Sequence, residues 1–153
     1  MNSINIAPED PTSNDATSLM EDLSDSLRAI TGDSGKNSFS VENIRNNCSL
    51  FVIARDKNGV AVGCGAFRPI DDTTAEVKRM FARIKDTGIG KKVLSYLEAE
   101  AYKMGYSEIH LETRLVNEHA VSFYEHNGYA RIPNYGKYIN NDMAICFGKQ
   151  LNM

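Results

Sequence analysis

A chain of 153 residues with 42% hydrophobic residues and a formal net charge of −3 has enough apolar side chains for the core of one domain. This composition excludes a disordered chain, and the mild acidity argues against nucleic acid as a partner, because that partner requires a strongly basic face. Residues 1–10 lack a basic segment followed by an apolar one, and no run of about 18 apolar residues occurs. We therefore expect a cytoplasmic protein with no membrane partner.

Three cysteines, Cys48, Cys64 and Cys146, form an odd set without the Cys-x-x-Cys spacing of metal and redox sites. Each lies in an apolar, strand-like run, which predicts buried and reduced thiols. A nucleophilic role is the alternative, and among the three it suits Cys146 best.

The amino-terminal part predicts a strand and then a helix. Ser3–Ala7 alternates as a short strand does, and Pro8–Asn14 interrupts it. Apolar side chains then follow at helical spacing, namely Leu19, Leu23, Leu27 and Ile30. Thr12 and Asp15 match a capping box at the start of this helix. Ser40–Asn46 predicts a short second helix.

A three-strand meander is predicted next. Asn58-Gly59 is a strong signal for a two-residue hairpin turn, which would join Leu50–Ala54 to Val60–Arg68. Pro69 and the acidic pair after it turn the chain again, so a third strand is expected at Thr74–Ala82.

The carboxy-terminal part alternates helices with strands. Apolar side chains at helical spacing run from Ile89 to Met104, and Gly105 suits the position after a helix end. Asn117 is the predicted N-cap of a further helix that reaches Asn127. Strands are predicted at Ser107–Glu112, Tyr129–Ile132 and Met143–Phe147.

Taken in order, these elements predict one domain over residues 1–153, of the α/β (α+β) class, with helices on both faces of a mixed sheet. Ligands of open sheets bind beyond the carboxyl ends of strands and beside a helix N-terminus. The turn at residues 87–92 lies at such a place. A Rossmann fingerprint and a Walker lysine are both absent from the sequence.

The segment Thr87-Gly88-Ile89-Gly90-Lys91-Lys92 precedes the long helix. Its two glycines let the backbone approach a ligand closely, and the N–H groups of the helix start point at that ligand. Two lysines in a first helical turn oppose the helix dipole unless an anion is nearby. We interpret the segment as a phosphate-binding turn, with an ordinary turn and solvated lysines as the alternative.

Three motifs together resemble those of the GNAT superfamily of N-acetyltransferases. They are Ala75-Glu76-Val77-Lys78-Arg79-Met80-Phe81, the Gly88-Ile89-Gly90 turn, and Asn117-x-x-Ala120-x-x-Phe123-Tyr124-x-x-x-Gly128-Tyr129. The resemblance in sequence covers Val60–Gln150. In the amino-terminal half, only the order of the predicted helices and strands resembles that of the family. It implies a mostly antiparallel central sheet and acetyl-coenzyme A (acetyl-CoA) as the donor. We expect no metal, because His119 and His126 with Glu118 or Glu125 do not form a converging ligand set.

The resemblance also implies how the coenzyme binds. A splayed or bulged strand would present main-chain groups of Met80, Phe81 and Ala82 to the pantetheine arm, and the N–H near Met80 would polarise the thioester carbonyl. The pyrophosphate would lie on Thr87, Gly88, Ile89, Gly90, Lys91 and Lys92. Family members commonly have Gln or Arg, and a slightly longer loop, where this chain has Lys85. Lys85 would supply a point charge, and a solvated loop lysine is the alternative.

Asn117 and Tyr124 are two helical turns apart, so both side chains can face one cleft while Phe123 packs inward. By the resemblance, Asn117 would bond the pantetheine arm. Tyr124 would contact the coenzyme and return a proton to the leaving thiolate. A helix cap and a half-buried core tyrosine are the alternative interpretation.

An amine acceptor must lose a proton before it attacks a carbonyl, so a base or a water chain is required. Glu76 is the candidate base, because it lies on the strand that leads to the thioester and partial burial would raise its pKa. The alternative is an ion pair with Lys78 or Arg79 on a solvated face.

The loop Pro133–Tyr138 is polar and aromatic, and Tyr135 and Tyr138 are candidate substrate-binding residues. His119 is interpreted as a surface histidine, with a place beside the acceptor as the alternative. The resemblance implies a primary amine of a small molecule or peptide as acceptor, attacked directly in a ternary complex. A non-catalytic acyl-CoA-binding regulatory module is the competing hypothesis, and a homodimer is left open.

Overall fold

Seven strands and three α-helices follow one another in the part of the chain that the computed structural model describes, residues 3–35 and 48–152. They are β1 (Asn5–Pro8), α1 (Asn14–Thr31), β2 (Leu50–Arg55), β3 (Ala61–Pro69), β4 (Thr74–Ala82), α2 (Ile89–Lys103), β5 (Glu108–Arg114), α3 (Glu118–His126), β6 (Ala130–Ile132) and β7 (Ala144–Gln150). The helix predicted at Ser40–Asn46 lies outside the described residues.

The strands form one sheet in the order β1-β2-β3-β4-β5-β7-β6. Every neighbouring pair is antiparallel except β4 and β5, which run parallel. The predicted α/β class and mostly antiparallel sheet are therefore confirmed. The predicted third meander strand coincides with β4, and Gly59 turns the hairpin before β3 with a φ of 81°.

One local prediction was wrong, because the N-cap of α1 is Ser13 rather than Thr12. The Ser13 Oγ accepts a hydrogen bond from the N–H of Ala16 at 3.1 Å. Thr12 instead donates to Asp10, and Asp15 pairs with Arg55 at 2.9 Å. Serine and threonine hydroxyls are equally suited to this role, so sequence spacing alone chose the wrong neighbour.

Helices cover both faces of the sheet, as the alternating side chains of β2 demonstrate. Phe51 and Ile53 pack with Leu19 of α1 in one apolar cluster. Val52 and Ala54 pack on the opposite face, in the larger cluster that contains α2. Among the described residues, no helix is long and apolar enough to cross a bilayer.

Two glycines of β3 let α2 lie unusually close to the sheet. A Cβ atom at Gly63 would come within 2.8 Å of Ile89, and one at Gly65 within 2.9 Å of Val93 and of Leu97. Ile89 is the first residue of α2, so this contact fixes where the helix begins. The close packing therefore holds the N-terminus of α2 beside the end of β4.

We predict that Gly65→Ala lowers the free energy of unfolding by about 1–3 kcal/mol, because the new methyl group overpacks this contact. Chemical denaturation measures the effect. Gly90→Ala is the control, since its Cβ would lie at an ordinary 3.4 Å from the Phe123 ring. In a chain that also carries Val93→Ala, which removes bulk from this contact, Gly65→Ala should lower the free energy of unfolding by less. An equal loss with and without Val93→Ala would contradict the packing argument.

Candidate active site

The sheet opens between β4 and β5. Their parallel pairing covers only Thr74–Glu76 against Glu108–His110, although β4 continues to Ala82 and β5 to Arg114. Beyond Glu76 the two strands line opposite sides of a cleft of about 480 Å³. Side chains of α1 line one end of this cleft and side chains of α3 the other. The cleft thus connects the two faces of the sheet.

A β-bulge in β4 shapes the wall of this cleft. The register against β3 shifts between Cys64 and Ala66, and Arg79 has a φ of 57°. Its guanidinium donates to the main-chain oxygen of Met20 at 2.8 Å and to the Ser24 Oγ at 2.7 Å. These bonds anchor the bulge to α1 and offset the cost of left-handed backbone at a non-glycine residue.

The bulge also resets which face each later side chain occupies. Ala75 and Val77 belong to the α2 face, and without a bulge the residues 79 and 81 would follow them. Instead Met80 and Ala82 pack on the α2 face, while Phe81 packs on the α1 face. All three side chains still line the cleft, so the bulge leaves the predicted coenzyme-binding residues of β4 at the cleft wall.

The glycine turn borders the same cleft. Gly88 is the N-cap of α2 with a φ of 81° and no side-chain cap, and the first turn of α2 carries no acidic residue. Six predicted residues of this loop line the cleft: Lys85, Thr87, Gly88, Ile89, Gly90 and Lys91. Lys92 is exposed and is not among the lining residues.

α3 supplies the opposite wall. Asn117 caps α3, since its Oδ1 accepts from the N–H of Ala120 at 3.3 Å, and it lines the cleft together with Tyr124. Phe123 packs against the core, as expected, and it also lines the cleft. His119 is exposed, as expected of a surface histidine, and it also lines this wall.

Tyr124 is a core residue and a cleft residue at once. Only 8% of its surface is exposed, and its ring packs against Phe123, Tyr129 and Phe147. Burial, with a smaller contribution from Glu112, raises the pKa of the Tyr124 hydroxyl above its ordinary value. The hydroxyl therefore stays protonated at neutral pH and can donate its proton.

The carboxylate of Glu76 is buried and held by several donors. Arg68, its cross-strand partner, approaches Oε1 through Nε and Nη2 at 2.9 Å each. Tyr135 donates its hydroxyl to Oε2 at 2.5 Å, and the Lys78 Nζ lies 3.8 Å from Oε1. The ion pair with Lys78 in the alternative interpretation is present, but it does not lie on a solvated face, because Glu76 is 1% exposed; Arg79 instead binds α1.

Lys78 lines the cleft next to Glu76 and has an unusual environment. Its side chain is 8% exposed, and its Nζ donates to the Tyr138 hydroxyl at 3.0 Å. Burial lowers the pKa of Lys78 to about 8, although Glu76 and, more weakly, Glu112 oppose the shift. A substantial fraction of this amine is therefore neutral near physiological pH.

Tyr135 and Tyr138 lie behind the cleft wall. Tyr138 is 4% exposed, within a small cluster that includes Cys146, and neither tyrosine is among the lining residues. Each reaches the cleft through a residue of β4, Tyr135 through Glu76 and Tyr138 through Lys78. Their predicted contact with substrate stays a prediction.

Residues 16–129 match the model of the acetyltransferase (GNAT) family, which is more than half of the chain. The chain belongs to the GNAT family. An IAA acetyltransferase of Azospirillum brasilense is 28% identical over 99% of this chain and 100% of its own length. A GNAT acetyltransferase of Staphylococcus aureus has the same fold, with a TM-score of 0.78, 20% identity and coverage of 98% of this chain and 100% of its own. The predicted family is confirmed.

A second solved structure also shares the fold. It is a PaiA N-acetyltransferase of Thermoplasma acidophilum in complex with coenzyme A, with a TM-score of 0.73, 20% identity and coverage of 97% of this chain and 99% of its own.

The cysteines of this GNAT chain do not form a nucleophilic site. Cys64 and Cys146 are buried as predicted, whereas Cys48 is exposed, contrary to expectation. Burial raises the pKa of the Cys64 thiol to about 12, and burial likewise raises that of Cys146. None of the three lines the cleft.

Sequence reasoning missed three basic residues of the site. Lys78 was weighed only as an ion-pair partner, although its spacing from Glu76 places both on one face of β4. Arg68 was overlooked, yet a correct hairpin register pairs it with Glu76. Arg114 also lines the cleft and binds Glu112 at 2.8 Å, which nothing in the sequence pattern indicated.

We predict a pH-dependent stability effect at Lys78. Its pKa is 10.5 in the unfolded chain and about 8 in the folded one, so the unfolded state binds more protons between these values. The folded state therefore gains stability as pH rises through this interval. Relative to Lys78→Met, the unfolding free energy of the wild type should rise by up to about 3 kcal/mol between pH 7 and 11. Urea denaturation at both pH values measures this difference, and a pH-independent difference would contradict it.

Proposed function

We propose that this GNAT protein transfers an acetyl group from acetyl-CoA to a primary amine of a small molecule or peptide. The observation that carries the proposal is the cleft that joins the glycine turn before α2 to the charged side chains at the gap between β4 and β5. The acyl donor would enter from the α3 end, and the acceptor would enter from the α1 end.

The glycine turn supports coenzyme binding. A helix start with a glycine cap and no acidic side chain attracts an anion through its N–H groups and its dipole. Lys85 and Lys91 add positive charge along the cleft, and Asn117 and Tyr124 face it from α3. The coenzyme A bound to the Thermoplasma relative is consistent with this assignment.

The chemistry would be direct attack of the amine on the thioester. The main-chain N–H near Met80, at the bulge, would polarise the thioester carbonyl, and Tyr124 would protonate the leaving thiolate. Among the described residues a covalent acyl-enzyme has no suitable thiol, because Cys64 and Cys146 are buried with raised pKa values and the exposed Cys48 does not line the cleft. Tyr135 and Tyr138 would shape the acceptor end from behind Glu76 and Lys78, and Glu76 remains a candidate base.

Release of free coenzyme A, measured with a thiol reagent across a panel of primary amines, tests the proposed reaction. Amine-dependent release with a matching mass increase of 42 Da in the acceptor is expected, that increase being about the mass of one acetyl group in place of one hydrogen. Binding of acetyl-CoA without release for any amine would instead favour the regulatory module.

We predict that Gly90→Asp weakens acetyl-CoA binding by at least about 10-fold, because the new carboxylate repels the pyrophosphate in the first turn of α2. Folding should not suffer, since a carboxylate there favours the helix dipole. Isothermal titration and thermal unfolding separate the two effects.

The control for this charge change is Ser95→Asp, an exposed position of α2 that does not line the cleft. A second matched pair is Lys91→Ala and Lys92→Ala, of which only the first should weaken binding. Unchanged affinity in folded Gly90→Asp would mean that the phosphates bind elsewhere.

We predict that Tyr124→Phe lowers kcat by roughly 10- to 10⁴-fold at nearly unchanged coenzyme affinity, because it removes the proton donor and keeps the ring packing. Tyr129→Phe is the control. Its hydroxyl donates to Glu98 at 2.8 Å away from the cleft, so that variant should lose stability and keep its turnover. Wild-type turnover in Tyr124→Phe would leave Tyr124 as a packing residue.

A further inference from the structure

The acceptor end of the cleft contains a cluster of charged side chains, of which the proposed reaction uses only Glu76, as a candidate base. Glu76 and Lys78 come from β4, and Glu112 and Arg114 from β5, at the place where these strands part. Arg68 reaches Glu76 from β3. The cluster thus lies beside the place where the thioester carbonyl would be.

Glu76 is poorly suited to accept a proton in this arrangement. Its carboxylate already accepts hydrogen bonds from the Arg68 Nε at 2.9 Å and from the Tyr135 hydroxyl at 2.5 Å, and the Arg68 Nη2 lies 2.9 Å from Oε1. Protonation would neutralise the buried member of the pair that Glu76 forms with Arg68, whose side chain is 30% exposed, and would leave that cation without this counter-charge. The geometry favours a structural role for Glu76.

Lys78 has the placement that a base requires. Lys78 lines the cleft, and its Nζ donates to the Tyr138 hydroxyl at 3.0 Å and lies 3.8 Å from Glu76. Other charged groups act on it from β3, β5 and the turn before β7, namely Arg68, Glu112 and Lys137. Burial outweighs these contributions and leaves the pKa of Lys78 at about 8.

We propose that neutral Lys78 removes the proton that an acceptor ammonium must lose, while Glu76 and Tyr138 position its amine. This inference rests on the proposed acetyl transfer. An incoming ammonium group would further favour the neutral form of Lys78, because two adjacent cations repel each other.

The proton balance closes within the cleft. One N–H bond of the acceptor ammonium breaks as the Lys78 Nζ takes that proton, and the freed lone pair attacks the thioester carbon. As the C–S bond breaks, the acceptor nitrogen loses a second proton and the thiolate gains one through Tyr124. Lys78 then returns its proton to water, so each turnover releases one proton.

The test compares kcat/KM between pH 6 and 10 for the wild type, Lys78→Arg, Lys78→Met and Glu76→Gln, with an amine identified by the release assay. The wild-type rate should rise with pH through about 8, the pKa of Lys78. Lys78→Arg keeps a positive charge but cannot become neutral in this pH range. Its kcat/KM at pH 8 should therefore be about 10²-fold below the wild-type value, with unchanged coenzyme affinity. In Glu76→Gln, kcat/KM should still rise with pH, but the midpoint of that rise should move.

A second measurement does not depend on the acceptor. Labelling of lysines with acetic anhydride at several pH values, read by mass spectrometry, should give Lys78 a midpoint near 8, with exposed Lys57 followed in the same experiment as the control. A midpoint of Lys78 as high as that of Lys57 would overturn the inference.

The variants also separate the competing roles. Full activity in Lys78→Arg with loss in Lys78→Met would make Lys78 a cationic anchor for an acidic acceptor and overturn its role as base. Loss of the rise with pH in Glu76→Gln alone would assign the base to Glu76. Absence of transfer to every amine would overturn the proposed function and this inference with it, whereas the other outcomes affect the inference alone.

Discussion

The separation of β4 from β5 after Glu76 is the constraint on which the site depends. A continuous sheet would pair these strands and leave no passage between its faces, whereas here the pairing stops after three residues of each strand. Two contacts keep β4 in place beyond that point. Arg79 ties the bulge to α1 on one face, and Gly63 and Gly65 admit α2 closely on the other. The opening is therefore built from packing on both sides of the sheet.

The balance of basic and acidic side chains decides which charged groups the cleft can accept. The acceptor end places Arg68, Lys78 and Arg114 among the carboxylates of Glu76 and Glu112, and burial acts on both signs. Burial raises the pKa of Glu112 and lowers that of Lys78, so both groups move toward their neutral forms. Such a site exchanges protons near neutral pH more readily than a solvated cluster of the same residues, whose pKa values would remain far apart.

The sequence predicted the elements better than the arrangement of charges. Periodicity located β4 to the residue and α3 with its Asn117 cap, because both depend on neighbours close in sequence. The pairing of Arg68 with Glu76 depends on hairpin register, and the contact of Lys78 with Tyr138 joins residues 60 apart. Such contacts follow from the fold rather than from local spacing, and the same holds for the place of Tyr135 and Tyr138 behind the wall. The helix predicted at Ser40–Asn46 stands as a prediction.

The bulge at Arg79 explains how the nine residues of β4 serve several purposes. Strict alternation would place residue 79 on the α2 face with Val77, and Met80 on the α1 face with Lys78. The additional residue directs Arg79 to α1 and returns Met80 to the α2 face, where it packs against Gly65. Lys78 therefore lies just before the bulge, and Met80 lies just after it, where the alternation of side chains between the two faces is shifted by one residue. An amine held at Lys78 and a carbonyl held at Met80 would meet across this bulge, which makes its geometry, more than any one side chain, the feature that aligns the two reactants.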